Sequence, residues 1–190
     1  MGLFGRKNDT TATPTATATA PVVDPQLAAL TGDYTIDPAH STIGFVARHA
    51  MVTNVKGSFL DVAGTLHLDG ADPSRSTASI DVRMDSIDTG SADRDGHLKS
   101  ADFFKTEEFP EMTFRSTKAE FLGGDDYRVT GDLTILGTTK PLSIDLEFNG
   151  SAKDPFGNER VGFEGKAEIL RSAWGLTWNA ALETGGGLVS

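Results

Sequence analysis

Across most of the chain after residue 33, apolar and polar side chains alternate with a period of two. In one segment Ile80, Val82 and Met84 share a parity, and Asp81 and Arg83 occupy the other. Successive side chains of a β-strand point to opposite faces, so this alternation predicts strands that each have one dry face and one wet face. Many such strands with short connections must either stack as a sandwich or close into a barrel, and alternation alone does not separate the two.

The inward-facing positions also include small residues among the large ones. They are Ala78, Gly131, Gly165 and Ala167. Inside a tube, small residues leave unfilled volume that suits an elongated guest. The alternative is that facing aromatic side chains fill the same gaps.

Composition limits the class of protein. A length of 190 residues with 38% hydrophobic content is enough for one domain with a real core. The formal net charge of -10 disfavours nucleic acids and anionic bilayers as partners, because like charges repel and no counterions are released. The chain has no cysteine, which excludes disulfides, a thiolate nucleophile and a cysteine-ligated metal. A single lipid held inside the domain remains compatible with these limits.

The first thirty residues differ from the rest. Residues 1–30 are rich in Thr, Ala and Pro without aromatic anchors, which predicts a disordered tail before one domain at 31–190. A secretory leader requires an apolar run after its positive charges, and no such run follows Arg6 and Lys7. No window of the sequence approaches the roughly twenty apolar residues of a membrane span. We therefore expect a cytoplasmic protein without integral membrane association. A short helical turn near 25–30 is a candidate cover for one barrel end.

The sequence contains no strong motif for catalysis. A metal-dependent hydrolase would need His40, His49 and His97 to converge, and their spacing gives neither an HxH nor an HExxH pattern. Adjacent side chains on an extended segment point to opposite faces, so His40 and Ser41 are poorly placed as base and nucleophile. The sequence thus favours a protein without catalysis, metal or cofactor.

The polar connection at 86–104 interrupts the strands with short helical turns. Ser91 is predicted to cap the first turn, and Arg94 and His97 share one helical face. A guanidinium and an imidazole beside an apolar channel would suit a phosphate or a polar amide headgroup. The alternative is structural, with Arg94 paired to a nearby aspartate. The aromatic pair Phe103–Phe104 is predicted to fold inward, and Trp174 to play a similar role at the opposite end.

This connection and further motifs in the same order closely resemble the YceI-like family. The matching motifs are Tyr34–Ser41, Phe45, His49, Gly57–Phe59, Arg94–Asp95, His97–Leu98, Phe103–Phe104, Phe109–Pro110, Thr113–Ser116, Gly131–Gly137, Arg171 and Trp174–Gly175.

The resemblance implies a fold and a function. It favours a lipocalin-like antiparallel β-barrel of about eight strands with a short helical insertion, which binds a long-chain amphiphile such as a polyisoprenoid without catalysis. Chains of this family continue through one more barrel strand, so the last strand is expected to be truncated here, with an open seam and a homodimer as consequences. A filled-core, stress-associated interaction module remains an alternative, as does the hydrolase. The expected channel residues are Phe45, Phe59, Ile80, Val82, Leu98, Phe103, Phe104, Met112, Phe114, Leu133, Ile135, Leu142, Ile144, Phe163 and Trp174, with Arg94 and His97 at the headgroup.

Overall fold

Two curved antiparallel sheets form the wall of this all-β structure, a computed structural model that describes residues 25–49 and 53–179. The predicted antiparallel barrel class is confirmed. Two of the strands, β1 and β6, are only four and two residues long. The strands are β1 (Gly32–Thr35), β2 (Ile43–His49), β3 (Thr53–Phe59), β4 (Val62–Leu68), β5 (Thr77–Arg83), β6 (Ile87–Asp88), β7 (Glu111–Gly123), β8 (Asp126–Ile135), β9 (Thr138–Lys153) and β10 (Glu159–Lys166). The helices are α1 (Pro25–Ala28) and α2 (Ala92–Lys99), with 3₁₀ turns at Pro73–Arg75, Met84–Ser86 and Arg171–Trp174.

Within the described ranges, the larger sheet has seven strands in the order β1-β4-β5-β7-β8-β9-β10, and the smaller has β2-β3-β6. All pairs are antiparallel, and β7 to β10 follow one another as three consecutive hairpins. Positive φ angles at Gly123 and Gly124 turn the chain between β7 and β8. Because an L side chain rarely adopts this left-handed conformation, the turn favours glycine there.

The apolar and polar side chains that alternate in the sequence are alternately half-buried and exposed in the structure. Along β9, side chains from Pro141 to Gly150 are exposed and half-buried in turn. The half-buried parity carries Leu142, Ile144 and Leu146, whereas the exposed parity carries Asp145 and other polar residues. The dry face of each strand therefore points into the curve of the sheet, where it can line an interior.

Two apolar clusters lie at opposite ends of β8 and close the interior. Near its start, Tyr127 packs with Leu68 and with Leu27 and Leu30 from α1 and the residues that follow it. Near its end, Leu133 and Ile135 pack with Phe114 and Trp174. We call these the α1 end and the Trp174 end. A third cluster, around Val82, Met84 and Phe59, lies where the two sheets meet.

The folded part of the chain begins earlier than the sequence indicated. Leu27 is only 2% exposed and Leu30 8%, although both lie in the segment predicted to be a disordered tail. The hydroxyl of Tyr34 donates a hydrogen bond of 2.7 Å to the Leu30 carbonyl, which fixes the segment against β1. The helical turn predicted near 25–30 is thus present and covers the α1 end. Residues 1–24 of the predicted tail lie outside the described residues.

The helical connection between β6 and β7 is present as predicted, but its first turn is held differently. Ser91 makes no side-chain capping bond. Instead, the carboxylate of Asp95 accepts hydrogen bonds from the Thr89 amide, at 2.9 Å, and the Thr89 hydroxyl, at 2.6 Å. No helix in the described ranges is both long and apolar enough to cross a membrane.

Candidate ligand-binding cavity

A large cavity of about 2420 Å³ lies inside the curve of the two sheets. This volume exceeds the roughly 300–1000 Å³ of ordinary small-molecule pockets. The inward, apolar parity of β7, β8 and β9 lines it, together with consecutive residues of both parities from β2 and β10. The predicted channel residues that line it are Phe45, Phe59, Ile80, Leu98, Phe103, Phe104, Met112, Phe114, Leu133, Ile135, Leu142, Ile144 and Phe163.

Two predicted channel residues, Val82 and Trp174, are not among the lining residues. Val82 is 2% exposed and packs in the cluster between the sheets. Trp174 is 5% exposed, and its indole Nε1 donates a hydrogen bond of 3.1 Å to the Leu133 carbonyl. Both side chains pack against lining residues, Val82 against Phe59 and Trp174 against Phe114 and Leu133. Trp174 also shares a cluster with Phe104, so the prediction that it lies at the opposite end from the aromatic pair is wrong.

The predicted headgroup pair is also engaged elsewhere. Arg94 donates from Nε to the Thr89 hydroxyl at 2.7 Å and from Nη2 to the Thr89 carbonyl at 2.9 Å. His97 Nε2 lies 2.9 Å from Asp102 Oδ2, and its ring meets Phe103 and Trp178 edge-on. Neither residue is among those that line the cavity. The contacts of His97 hold the helical connection against the Trp174 end. Arg94 is engaged within the connection as the structural alternative requires, but its partner is Thr89 and not the aspartate that was predicted.

The aromatic pair closes this end as predicted. Phe103 is buried between His97 and Trp178, with ring centroids 5.1 and 4.9 Å from theirs. Phe104 packs against both neighbouring clusters. The next aromatic, Phe109, lies over Gly137, where an added Cβ would come within 2.9 Å of the ring. The Trp174 end is therefore sealed by aromatic side chains from the connection.

A charged network joins β10 to the connection between β1 and β2. Arg160 donates from Nη1 to the Asp37 carboxylate and from Nη2 to Asp154 Oδ2, the latter at 3.0 Å. The same Asp37 carboxylate lies 2.9 Å from His40 Nδ1 and accepts a bond of 3.0 Å from the Ala39 amide. The His40 contact above all, with the Ala39 amide and Arg160, lowers the pKa of Asp37. Asp37, His40 and Arg160 also line the cavity, so this network forms a polar rim.

The strands beside this rim are the outer strands of their sheets. Among the described residues, β2 pairs with β3 and β10 pairs with β9, and neither has a second partner strand. Residues 180–190, on which the predicted truncation of a last strand falls, lie outside the described residues.

The predicted metal-dependent alternative gains no support from the histidines. His40 lies at the polar rim, whereas His97 lies on α2 against Asp102. The side chain of His49 lies outside the described residues. In the parts of the chain that are described, no group of three or more His, Cys, Asp or Glu side chains could hold a metal ion.

The hairpin between β9 and β10 contains a carboxylate, Asp154, whose pKa predicts how the hairpin responds to low pH. Asp154 accepts hydrogen bonds from the Phe156 and Asn158 amides, each at 2.9 Å, and from the Asn158 side chain at 2.9 Å. The Asn158 side chain and amide, followed by the Phe156 amide and Arg160, lower its pKa from 3.8 to about 2.

A carboxylate with a lowered pKa stabilises the fold above its unfolded pKa and loses that contribution as the pH falls through its folded value. We therefore expect the hairpin to keep its structure at pH 3 and to loosen near pH 2. The measurement is an NMR titration of the Asp154 side chain. Its midpoint should be about 2 and should move toward 3.8 in Asn158→Ala. A native midpoint near 3.8 would contradict this assignment.

Several lining residues were missing from the predicted channel. Leu66, Val129 and Leu146 belong to alternating strands, so extending the inward parity along each strand would have found them. Ile36 and Leu176 lie outside regular strands and carry no periodic signal.

Comparison with known proteins agrees with this architecture. The YceI-like domain profile matches residues 34–190. The UPF0312 protein plu2095 of Photorhabdus laumondii is 40% identical over 143 residues, and protein YceI of Escherichia coli O17:K52:H18 is 38% identical over 143 residues. Each alignment covers 74% of this chain and 74% of the relative.

Solved structures show the same fold. BcnA of Burkholderia cenocepacia superposes with a TM-score of 0.68 at 25% identity, over 73% of this chain and 83% of that one. The Campylobacter jejuni YceI protein gives a TM-score of 0.64 at 34% identity, over 83% of this chain and 94% of that one. A mutant of the Campylobacter protein was crystallised with a monobromobimane guest.

Proposed function

Since this chain belongs to the YceI-like domain family, we propose that it binds a long-chain amphiphile, such as a polyisoprenoid, in the cavity between its two sheets. The observation that carries the proposal is the cavity of about 2420 Å³ with its mainly apolar wall. A filled-core interaction module would not contain such a volume.

The binding energy in this proposal comes from burial of the chain. Each methylene removed from water contributes about 0.8 kcal/mol. Ordering the chain and desolvating its headgroup cost a large part of that gain. Shape and width of the cavity, more than hydrogen bonds, then determine which guests fit. No reaction is required, and the protein acts as a carrier or buffer for its guest.

In this proposal the polar headgroup lies at the rim formed by Asp37, His40 and Arg160. The rim offers charged and hydrogen-bonding groups at the edge of the apolar wall. Arg94 and His97, the headgroup residues indicated by the sequence, are not among the residues that line the cavity and are the weaker candidates.

The test is mass spectrometry of an organic extract of the purified protein. The blank is an extract of the same protein after it has been denatured and washed free of any guest. We expect a long-chain isoprenoid or acyl species in stoichiometric amount. If the extract contains no such species, even after the protein has been incubated with host lipids, the carrier function is contradicted. The filled-core interaction module would then be the better hypothesis.

Location and assembly remain predictions from the sequence. We expect the protein in the cytoplasmic fraction of lysed cells. We expect sedimentation at the mass of a homodimer, with the outer strands β2 and β10 as the natural contact because their outer edges lack a partner among the described residues.

A further inference from the structure

The space above inward-facing glycines is filled by large side chains from neighbouring strands. Phe45 on β2 lies directly opposite Gly57 on β3. A Cβ added at Gly57 would come within 2.5 Å of Phe45 Cζ and 2.7 Å of Cε1, and within 2.9 Å of Thr89 Cγ2. These distances are far below van der Waals contact, so the Phe45 ring can lie in this position only because residue 57 has no side chain.

The same arrangement recurs on β10. Leu146 on β9 lies opposite Gly165, where an added Cβ would come within 2.4 Å of Leu146 Cδ2. Gly131 lies under the ring of Phe114 in the same way, since an added Cβ would come within 2.5 Å of Phe114 Cζ. That Cβ would also come within 2.5 Å of the Arg115 backbone oxygen, so a side chain at residue 131 would strain the sheet itself.

The side chains that cover these glycines all line the cavity. Phe45, Phe114 and Leu146 are part of its wall. Because each occupies the space of a missing Cβ, it lies along the sheet rather than across the interior. The glycines therefore do not leave voids of their own. They let large apolar side chains lie close to the wall, and this keeps the cavity wide.

Resting on the proposed function, we propose that Gly57 and Gly165 are specificity-determining residues that set the width of the cavity and so select guests of wide cross-section. A methyl-branched chain fills a wide bore, whereas a straight chain leaves wall atoms without contact partners and loses their dispersion energy. Adding one methyl group at Gly57 pushes the Phe45 ring off the sheet and into the bore. The branched guest then loses more affinity than the straight one.

The experiment uses two fluorescent probes, dansyl-labelled phytanyl amine and dansyl-labelled hexadecyl amine, which have the same main-chain length and differ in methyl branches. The native protein is expected to bind the branched probe more tightly. In Gly57→Ala the dissociation constant of the branched probe should rise about tenfold and that of the straight probe less than about threefold. The preference between the two probes thereby falls.

Two further variants separate width from general damage. Phe45→Leu combined with Gly57→Ala removes the ring atoms that the new methyl would meet. The remaining close contact is with Thr89 Cγ2, which does not line the cavity, so the double variant should restore the preference for the branched probe. Gly96→Ala is the matched control, because a Cβ at this exposed position in α2 meets no atom within 4 Å. It should leave both dissociation constants unchanged.

Gly165→Ala provides a second, independent test if Gly57→Ala does not fold. Its new methyl meets Leu146 in place of Phe45, with looser contacts of 3.1 Å to Ile144 Cγ2 and 3.2 Å to the Asp145 backbone oxygen, and the same loss of preference is expected. Equal losses for both probes in the folded variants would overturn the inference while leaving the carrier function intact. Failure of the native protein to bind either probe would instead overturn the proposed function.

Discussion

Replacement of Ile144 by aspartate is expected to abolish uptake of an apolar chain. Ile144 lies on the half-buried parity of β9, lines the cavity and packs against the cluster at the Trp174 end. A bound chain would cover the new carboxylate and remove its water, which costs several kcal/mol without a partner. We expect the affinity for a fluorescent alkyl probe to fall about 100-fold or more.

The fold should survive this change, because Ile144 is only half-buried and the empty cavity can hydrate the carboxylate. Leu122→Asp is the control, since Leu122 near the end of β7 is 48% exposed and is not a lining residue. It introduces the same charge outside the cavity and should leave uptake unchanged. Native affinity in a folded Ile144→Asp protein would place the ligand elsewhere.

Replacement of Trp174 by alanine is expected to cost about 3–5 kcal/mol of unfolding free energy, the range found when buried large side chains are truncated. The indole is 5% exposed and fills the space between Phe114, Leu133 and Ile135. Its removal leaves a void in the cluster at the Trp174 end and removes the donor to the Leu133 carbonyl. Urea denaturation with linear extrapolation measures the loss.

Trp174→Phe separates the two contributions. Phenylalanine keeps much of the apolar ring but loses the N–H group, so we expect a smaller cost, about 1–2 kcal/mol. Trp178→Ala serves as the matched control, because Trp178 is half-buried against His97 and Phe103. Its truncation should cost clearly less than that of Trp174. Equal costs would show that Trp174 does not anchor the core at this end.

The strands and most of the cavity wall could be predicted, because alternation reports directly which side chains share a face. Ile80, Leu133 and Ile144 line the interior as that rule requires. The same rule cannot say how deep a side chain lies on the inward face. Val82 and Ile80 have the same parity, yet Val82 is buried where the two sheets meet and Ile80 faces the cavity.

Sequence patterns do not predict contacts between segments that lie far apart in the chain. The bond from Trp174 to Leu133 joins residues 41 positions apart, and that from Arg160 to Asp37 spans 123. The engagement of Arg94 with Thr89 was local, but it depends on the shape of the turn before α2, which composition does not encode. Gly131 and Gly165 were correctly assigned to the inward face, although their space is filled by Phe114 and Leu146 and is not left open.

The order of the strands has a consequence for how the chain folds. Strands β7 to β10 are neighbours both in sequence and in the sheet, so each hairpin closes a short loop at small entropic cost. By contrast, β5 meets β7 only after the whole helical connection has been placed, and β1 meets β4 across two intervening strands. Contacts of long sequence separation slow folding. We therefore expect the four-strand meander to form first, and the N-terminal strands, which complete the cavity wall, to dock onto it later.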